Sequence, residues 1–488
     1  RAPAARGSFL ITDIREISSW LLPIASLLLT TWTAAHALLH KQNAASAWGW
    51  IGACLLLPFA GPVLYFVFGI NRVLTRAQRQ QQPPPRSGPS YAESDARYQP
   101  DVVPISLNEV ARSGDVITGL PLLTGNRLEV LHNGEAAYPR MLAAIDAARY
   151  SIALTSYIFD RDEAGEQFIE ALDRAQARGV AVRCLLDGVG ELAWRRAGSE
   201  LLARGVPVVR YNPLRLWPPF LHINLRNHRK LLIVDGAVAF TGGMNISATH
   251  YVAEPDKPGT AADLQVEIHG PVIAQLQQVF IDDWAYAAEE NWSPPTAPEA
   301  AEASPSGALC RVITDGPNED FGHLSLVLLA AIAAAQERIQ IVTPYFVPPD
   351  ELLSALMSAA VRGVVVDLVL SRDRNHRITW YAMHKLIPPL LKRGVRVHLQ
   401  PPPFCHTKLF VVDRRYAQFG SANLDMRSLR LNFEMVVETY DRAFVEQLAQ
   451  HCDVLSERAT TLEYDKVRRR PVLLRLRDAA CWLLSPYL

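Results

Sequence analysis

The sequence predicts an α/β fold of two homologous halves, each a β-sheet flanked by helices and related by a pseudo-twofold axis, preceded by a two-helix transmembrane hairpin. Three observations carry that prediction. A short pattern of His, Lys, Asp, Gly and Asn occurs twice at a constant offset of 178 residues. The strand and helix signals around it also occur twice, and two apolar runs near the amino terminus contain no Asp, Glu, Lys or Arg.

The apolar runs come first. Residues 18–39 and 45–70 each approach or exceed the length that crosses a hydrocarbon core of about 30 Å. Only a few residues, with Lys41 among them, separate the two, and Arg72, Arg76, Arg79 and Arg86 follow before any acid. That asymmetry predicts that both ends of residues 1–79 lie in the cytoplasm and that the rest of the chain follows on the cytoplasmic side of the membrane. Trp20, Trp48 and Trp50 fall near the expected interfaces. Ala35-His36-Ala37 resembles a signal-peptide cleavage site, but the second run follows at once and the first is long, which favours the hairpin. Residues 80–118 open with "QQQPPPRSGPSYAESDARYQP" and read as a flexible tether.

The first half, 119–290, carries "SIALTSYIFD" (151–160) and "ARGVAVRCLLDG" (177–188), answered in the second half, 309–460, by "IQIVTPYFVPPD" (339–350) and "VRGVVVDLVLS" (361–371). Alternating strand and helix signals imply a sheet covered by helices. Between the halves, 291–308 is rich in Pro, Ala and Ser and reads as a linker. After them, 461–488 combines Lys466, Arg468, Arg469, Arg470, Arg475 and Arg477 with leucines and Trp482, a basic amphipathic segment suited to an anionic lipid interface or to docking on the protein itself.

The repeated pattern carries the chemistry. "NHRKLLIVDG" (227–236) sets His228 and Lys230 at the mouth of an apolar strand that ends in an Asp235-Gly236 turn, and Gly242, Gly243 and Asn245 follow. Cations, glycines that admit close approach and a neutral amide together look like a phosphate site. His406, Lys408, Asp413, Gly420, Ser421 and Asn423 repeat the spacing. Phosphodiester transfer needs a nucleophile, an acid for the leaving alcohol and cations for the equatorial oxygens. One half supplies one imidazole, so the halves must face each other for two His and two Lys to meet one phosphate.

Composition narrows the setting. Formal net charge is zero, so no global basic field draws nucleic acid. The six cysteines are scattered, which fits a reducing compartment, and Cys405 beside His406 on a strand faces the other side. There is no H-E-x-x-H or C-x-x-C spacing, so no metal or other cofactor is expected.

The doubled H-x-K-x4-D-x6-G-[GS]-x-N pattern resembles the phospholipase D superfamily, and "GSANLDMRSLRLNFE" (420–434) with "RNHRKLLIVDG" (226–236) is similar to its membrane-anchored bacterial cardiolipin synthases. The resemblance implies a covalent phosphohistidine, with His228 as nucleophile and His406 as general acid and then base. Lys230, Lys408, Asn245 and Asn423, with Gly243 and Ser421, would hold the phosphoryl oxygens. It also implies that each histidine is oriented by a carboxylate of the opposite half, Glu434 for His228 and Asp263 for His406. The stretch before Asp263, "YVAEPDKPGTAAD", lacks the aromatic residues expected there. Asp235 and Asp413 complete the catalytic motifs, and tying the hairpin to its surroundings is their preferred role.

The function implied is a membrane-bound phosphatidyltransferase that makes cardiolipin and glycerol from two phosphatidylglycerols, with phosphatidylglycerol and anionic membrane lipid as partners. The alternative is a phospholipase D-type hydrolase, or a transphosphatidylase with another alcohol acceptor. A degenerate lipid-binding scaffold is disfavoured because both motifs are intact. A nucleotide-activated lipid chemistry would need a D-G-x-x-A-R run, which the sequence from Asp235 abandons at Phe240. No oligomeric state follows from the sequence.

Overall fold

Strand segments such as Ser151–Ser156 and Leu231–Val234 are buried along their whole length, which a sheet permits only when both of its faces are covered. The computed structural model describes residues 7–41, 44–69, 103, 105–193, 197–213, 225–253, 259–295, 307–317 and 322–488. It divides into two units, Arg1–Arg79 and Gln80–Leu488.

Within the larger unit the first half contributes β1 (Leu123–His132), β2 (Ser151–Ser156), β3 (Ala181–Asp187), β4 (Val208–Tyr211), β5 (Leu231–Val234), β6 (Val238–Gly242), β7 (Ala261–Ala262) and β8 (Leu264–His269). The second half contributes β9 (Ala308–Asp315), β10 (Arg338–Val342), β11 (Phe346–Val347), β12 (Val365–Ser371), β13 (Arg396–Gln400), β14 (Phe404–Cys405), β15 (Leu409–Val412), β16 (Tyr416–Gly420), β17 (Leu424–Asp425), β18 (Glu434–Thr439) and β19 (Thr460–Thr461).

Fifteen of these strands form one sheet, with β1 beside β9 at its centre. Outward from that seam, one side runs β1, β8, β6, β5, β2, β3, β4, and the other runs β9, β18, β16, β15, β10, β12, β13 and then β19. The first seven on each side are equivalents, so the sequence repeat is a repeat of topology. In each half the inner pairings are antiparallel, and the outer ones, β2 to β3 to β4 and β10 to β12 to β13, are parallel. The seam strands carry no recognisable repeat, yet their antiparallel pairing, with Leu123 opposite Cys310 and Asn126 opposite Ala308, joins the halves.

Helices cover the sheet because their apolar residues recur at helical spacing. Glu163–Ala177 buries Ala164, Phe168, Ile169, Ala171, Leu172 and Ala175, and Asp162 caps it by accepting from the Gly165 N–H. Both hairpins of the repeated His-Lys pattern turn through the left-handed region, at Asp235 (φ 56°) and Gly236 (φ 67°), and at Asp413 (φ 51°) and Arg414 (φ 54°).

Two expectations meet a different outcome. The two-span hairpin is not supported: among the described residues no helix is long and apolar enough to cross a membrane. The second run is not one helix. It is helical over Ala44–Leu56, turns at Phe59 with φ 67°, and continues as Ala60–Leu64 and a π-helical Tyr65–Gly69. Thirteen helical residues reach only about 20 Å at about 1.5 Å each. The first run lies within the helix Gly7–His40, which also contains Asp13, Arg15, Glu16 and Pro23. The arginines at 72, 76, 79 and 86 lie outside the described residues.

Of the expected tether, residues 105–118 are a 3-10 turn and the helix Asn108–Thr118, whose Val110 and Ala111 lie in the second half's core with Leu107. Its other residues, Val103 apart, lie outside the described ones, as do 296–306 of the linker. The carboxyl-terminal segment is a helix, Val472–Trp482, followed by a short 3-10 turn, and its Cys481, Trp482 and Leu488 pack on the second half's core.

Candidate active site

His228 and His406 are not strand residues. Each lies in the short extended stretch just ahead of its strand, β5 or β15, and is held there by the other half. The His228 N–H donates to Phe433 O at 3.0 Å and the His406 N–H to Ala262 O at 2.8 Å. Phe433 and Ala262 immediately precede Glu434 and Asp263, so the backbone bond that fixes each histidine also delivers a carboxylate to it. β7 and β14, one from each half, pair in parallel for the same purpose.

The side chains complete two crossed pairs. His228 Nδ1 lies 3.0 Å from Glu434 Oε2, and His406 Nδ1 lies 2.7 Å from Asp263 Oδ2. Both carboxylates are fully buried. Glu434 is held by Ser421 Oγ at 2.5 Å and Asn432 Nδ2 at 3.2 Å, while Asp263 accepts from the Leu264 N–H at 2.8 Å. Each Nδ1 is thereby committed to a carboxylate, which leaves Nε2 for a substrate. Lys230 Nζ donates to His228 O at 2.6 Å, and Lys408 Nζ donates to His406 O.

Burial governs the protonation states. It pushes the His228 imidazole down to about 4 against the opposing pull of Glu434, and burial with the Lys408 charge takes His406 to about 3. Burial brings the Lys230 and Lys408 ammonium groups down to about 7 and about 8. For Asp263 burial acts upward, but the bond and charge of His406 outweigh it and hold the carboxyl at about 2. Both imidazoles are therefore neutral at neutral pH beside ionised carboxylates. An anion placed among them would raise both the imidazole and the lysine values.

The remaining expected residues divide. Asn245 and Asn423 close the two loops. Asn245 Oδ1 accepts from the Ile158 N–H at 3.2 Å, and the Asn423 Oδ1 is buried with no hydrogen-bond partner among the described residues. Gly243 admits a carboxylate: a Cβ there would lie 2.5 Å from Asp263 Oδ2. Its equivalent, Ser421, holds Glu434. Asp235 and Asp413 are not at the site. They accept from the N–H groups of Arg149, Tyr150 and Ser151, and of Gln336, Glu337 and Arg338, at the far ends of their strands.

Other residues border the site without having been singled out. Tyr157 meets the His228 ring edge-on at 5.0 Å and lies 5.4 Å from Lys230 Nζ. Its repeat partner Tyr345 packs on Phe404, which in turn packs on His406. The alignment of 151–160 with 339–350 held that pair of tyrosines in view. His250 accepts from the Asn245 N–H through Nε2 and bonds Ala261 O through Nδ1, and Ser428 bonds the Asn423 N–H in the equivalent place. Among the described residues, no three His, Cys, Asp or Glu are grouped to hold a metal ion.

Residues 141–284 and 328–455 match the family described as cardiolipin synthase, phospholipase D-like domain, and residues 28–69 match a phospholipase D-nuclease amino-terminal family. Cardiolipin synthase A of Pseudomonas fluorescens (strain SBW25) is 32% identical over 94% of this chain and 96% of its own. Cardiolipin synthase of Geobacillus kaustophilus (strain HTA426) is 30% identical over 92% of this chain and 90% of its own. Among solved structures, phosphatidylserine synthase of Haemophilus influenzae Rd KW20 shares the fold, with a TM-score of 0.60 and 17% identity over 78% of this chain and 100% of that one.

Proposed function

The chain belongs to the phospholipase D-like cardiolipin synthase family, and from that premise we propose that it is a phosphatidyltransferase joining two phosphatidylglycerols into cardiolipin with release of glycerol. The observation that carries the reading is the crossed arrangement of two imidazoles, each bonded through Nδ1 to a carboxylate of the other half, with a lysine beside each.

In the proposed reaction His228 Nε2 attacks the phosphorus of the first phosphatidylglycerol. The bond from phosphorus to the glycerol oxygen breaks as His406 gives that oxygen a proton. A hydroxyl of the second lipid then loses its proton to His406 and attacks the same phosphorus. The phosphorus–nitrogen bond breaks, cardiolipin leaves and both histidines return to their starting states. A neutral His228 suits attack at neutral pH. His406 gains its acidic form when the anionic phosphodiester enters. Lys230, Lys408, Asn245 and Asn423 hold the oxygens on which charge develops.

Residues 119–290 and 309–460 act as the two halves, with 291–308 between them. Membrane attachment is supported by the exposed Leu27, Leu28, Leu38, Leu39, Trp48, Leu55 and Leu56 of the smaller unit, too many apolar side chains for a free surface. Six free cysteines fit catalysis on the cytoplasmic side.

The test is product analysis with purified protein, phosphatidylglycerol and a metal chelator. Glycerol and cardiolipin released in equal amounts support the transferase. Phosphatidic acid as the dominant product means that water, not a second lipid, accepts the phosphatidyl group, and overturns it.

A further inference from the structure

The helix Val472–Trp482 is docked the wrong way round for water. Its one carboxylate, Asp478, is only 2% exposed and faces inward, paired with Arg470 at 2.9 Å and Arg477 at 2.8 Å. The Arg477 guanidinium lies 3.7 Å from the ring centroid of Tyr381, in the helix Arg377–Lys392. Its aliphatic side chains point outward: Leu473 is 79% exposed and Leu483 71%, with Val472, Leu476 and Leu484 exposed beside them. Aliphatic side chains left in water forgo the free energy of burial, so this face calls for an apolar cover.

Charge says which cover. Arg468, Arg469 and Arg475 are exposed around the face and make no ion pair among the described residues. Lys466 is paired with Glu463, and Asp465 is the other exposed acid nearby. An aliphatic patch rimmed by free guanidinium groups matches acyl chains beneath lipid phosphates. The patch also adjoins the site. Leu488 O accepts from the Arg427 N–H at 2.8 Å, and Ser428 of the same short helix accepts from the Asn423 N–H at 3.2 Å. His376, the residue just ahead of the helix Arg377–Lys392, meets the Tyr345 ring at 5.2 Å.

We propose that this face seats the catalytic unit on an anionic lipid surface, so that phospholipids reach His228 and His406 without leaving the membrane. The inference rests on the lipid-substrate reading above, but contact with lipid can be read without turnover.

Full-length protein carrying Leu473→Cys is labelled with an environment-sensitive fluorophore. Five of the six native cysteines are buried and Cys481 is half-buried, so the unsubstituted chain gives the background. The protein is reconstituted in vesicles of phosphatidylglycerol with phosphatidylcholine, or of phosphatidylcholine alone. Quenching by a lipid-borne nitroxide, stronger with phosphatidylglycerol and weakened by salt, is the expected result. Quenching by aqueous iodide alone overturns the proposal. Quenching by neither places a second copy or another part of the chain over the face, and also overturns it. Equal nitroxide quenching in both vesicles removes the anionic requirement and sinks the proposal as stated. A triple variant, L473E with L476E and L483E, should lose about tenfold in turnover on vesicles yet match the parent on a water-soluble short-chain phosphodiester. Equal loss on both substrates would make the face structural.

Discussion

At the scale of single residues, the role of Gly243 shows what repeat spacing reveals and what it hides. The spacing names the glycine as part of a phosphate loop. The structure spends its missing side chain on Asp263, whose Oδ1 and Oδ2 lie 2.6 and 2.5 Å from where a Cβ would sit. Gly243→Ala must therefore displace Asp263 from His406, and turnover should fall by roughly tenfold to a hundredfold, the usual cost of disturbing an orienting carboxylate. The melting temperature should change little by comparison. Unchanged turnover would mean that Asp263 does not need its present position. The lysines make a second residue-scale prediction. Burial lowers Lys230 to about 7 and Lys408 to about 8, so both are cations below that range and lose charge as pH rises through it. Binding of sulfate, which does not itself titrate there, should weaken by about tenfold per unit above pH 8. Calorimetric affinity that stays flat from about pH 6 to 9 would remove the lysines from anion binding. Both histidines and both lysines were legible because a doubled motif is improbable by chance. Tyr157 and Tyr345 hold equivalent places just past β2 and β10, but an aromatic beside an apolar strand is ordinarily core, and nothing in its spacing marks it as a neighbour of His228.

At the scale of elements, the hairpins β5–β6 and β15–β16 explain why an aspartate belongs to a motif whose chemistry it does not touch. Asp235 gathers three backbone N–H groups, at 2.9, 2.7 and 2.9 Å, where the chain enters β2. It thereby ties the hairpin to the strand beside it. Asp235→Asn keeps the shape and removes the charge, so it should cost about 1–3 kcal/mol of stability and leave turnover within a few-fold. A large loss of turnover at unchanged stability, measured by denaturant unfolding beside steady-state rates, would return Asp235 to the chemistry. Motif elements were readable because they carry repeated, type-specific residues. β1 and β9 were not, since "LTGNRLEVLH" and "ALCRVITD" share no pattern that a pairwise reading would align. The second apolar run misled for the opposite reason. Its composition suits a span, but Pro58 and the positive φ of Phe59 interrupt the helix that composition alone suggests.

At the scale of the whole molecule, the candidate site exists only because two halves close on one another, and their seam depends on a segment outside both repeats. The helix Asn108–Thr118 lends Leu107, Val110 and Ala111 to the second half's core. It also answers a buried cation on β9: Arg311 Nη1 donates to Asp115 Oδ1 at 2.5 Å and Nη2 to Ala111 O at 3.0 Å, while Nε reaches Glu438 at 2.6 Å. Without Asp115, Arg311 keeps one carboxylate and gains open space beside the strand that joins the halves. Two truncations should then behave differently. Removing residues 1–79 takes away the smaller unit and should leave a folded enzyme that turns over detergent-dispersed phosphatidylglycerol. Removing residues 1–118 strips the helix as well, and breaking a buried ion pair costs about 3–5 kcal/mol before the lost apolar contacts are counted. That protein should unfold at far lower denaturant, or fail to accumulate as soluble protein. Equal stability of the two truncations would mean that the seam holds without the helix, and that the catalytic unit begins where the repeat does, at β1.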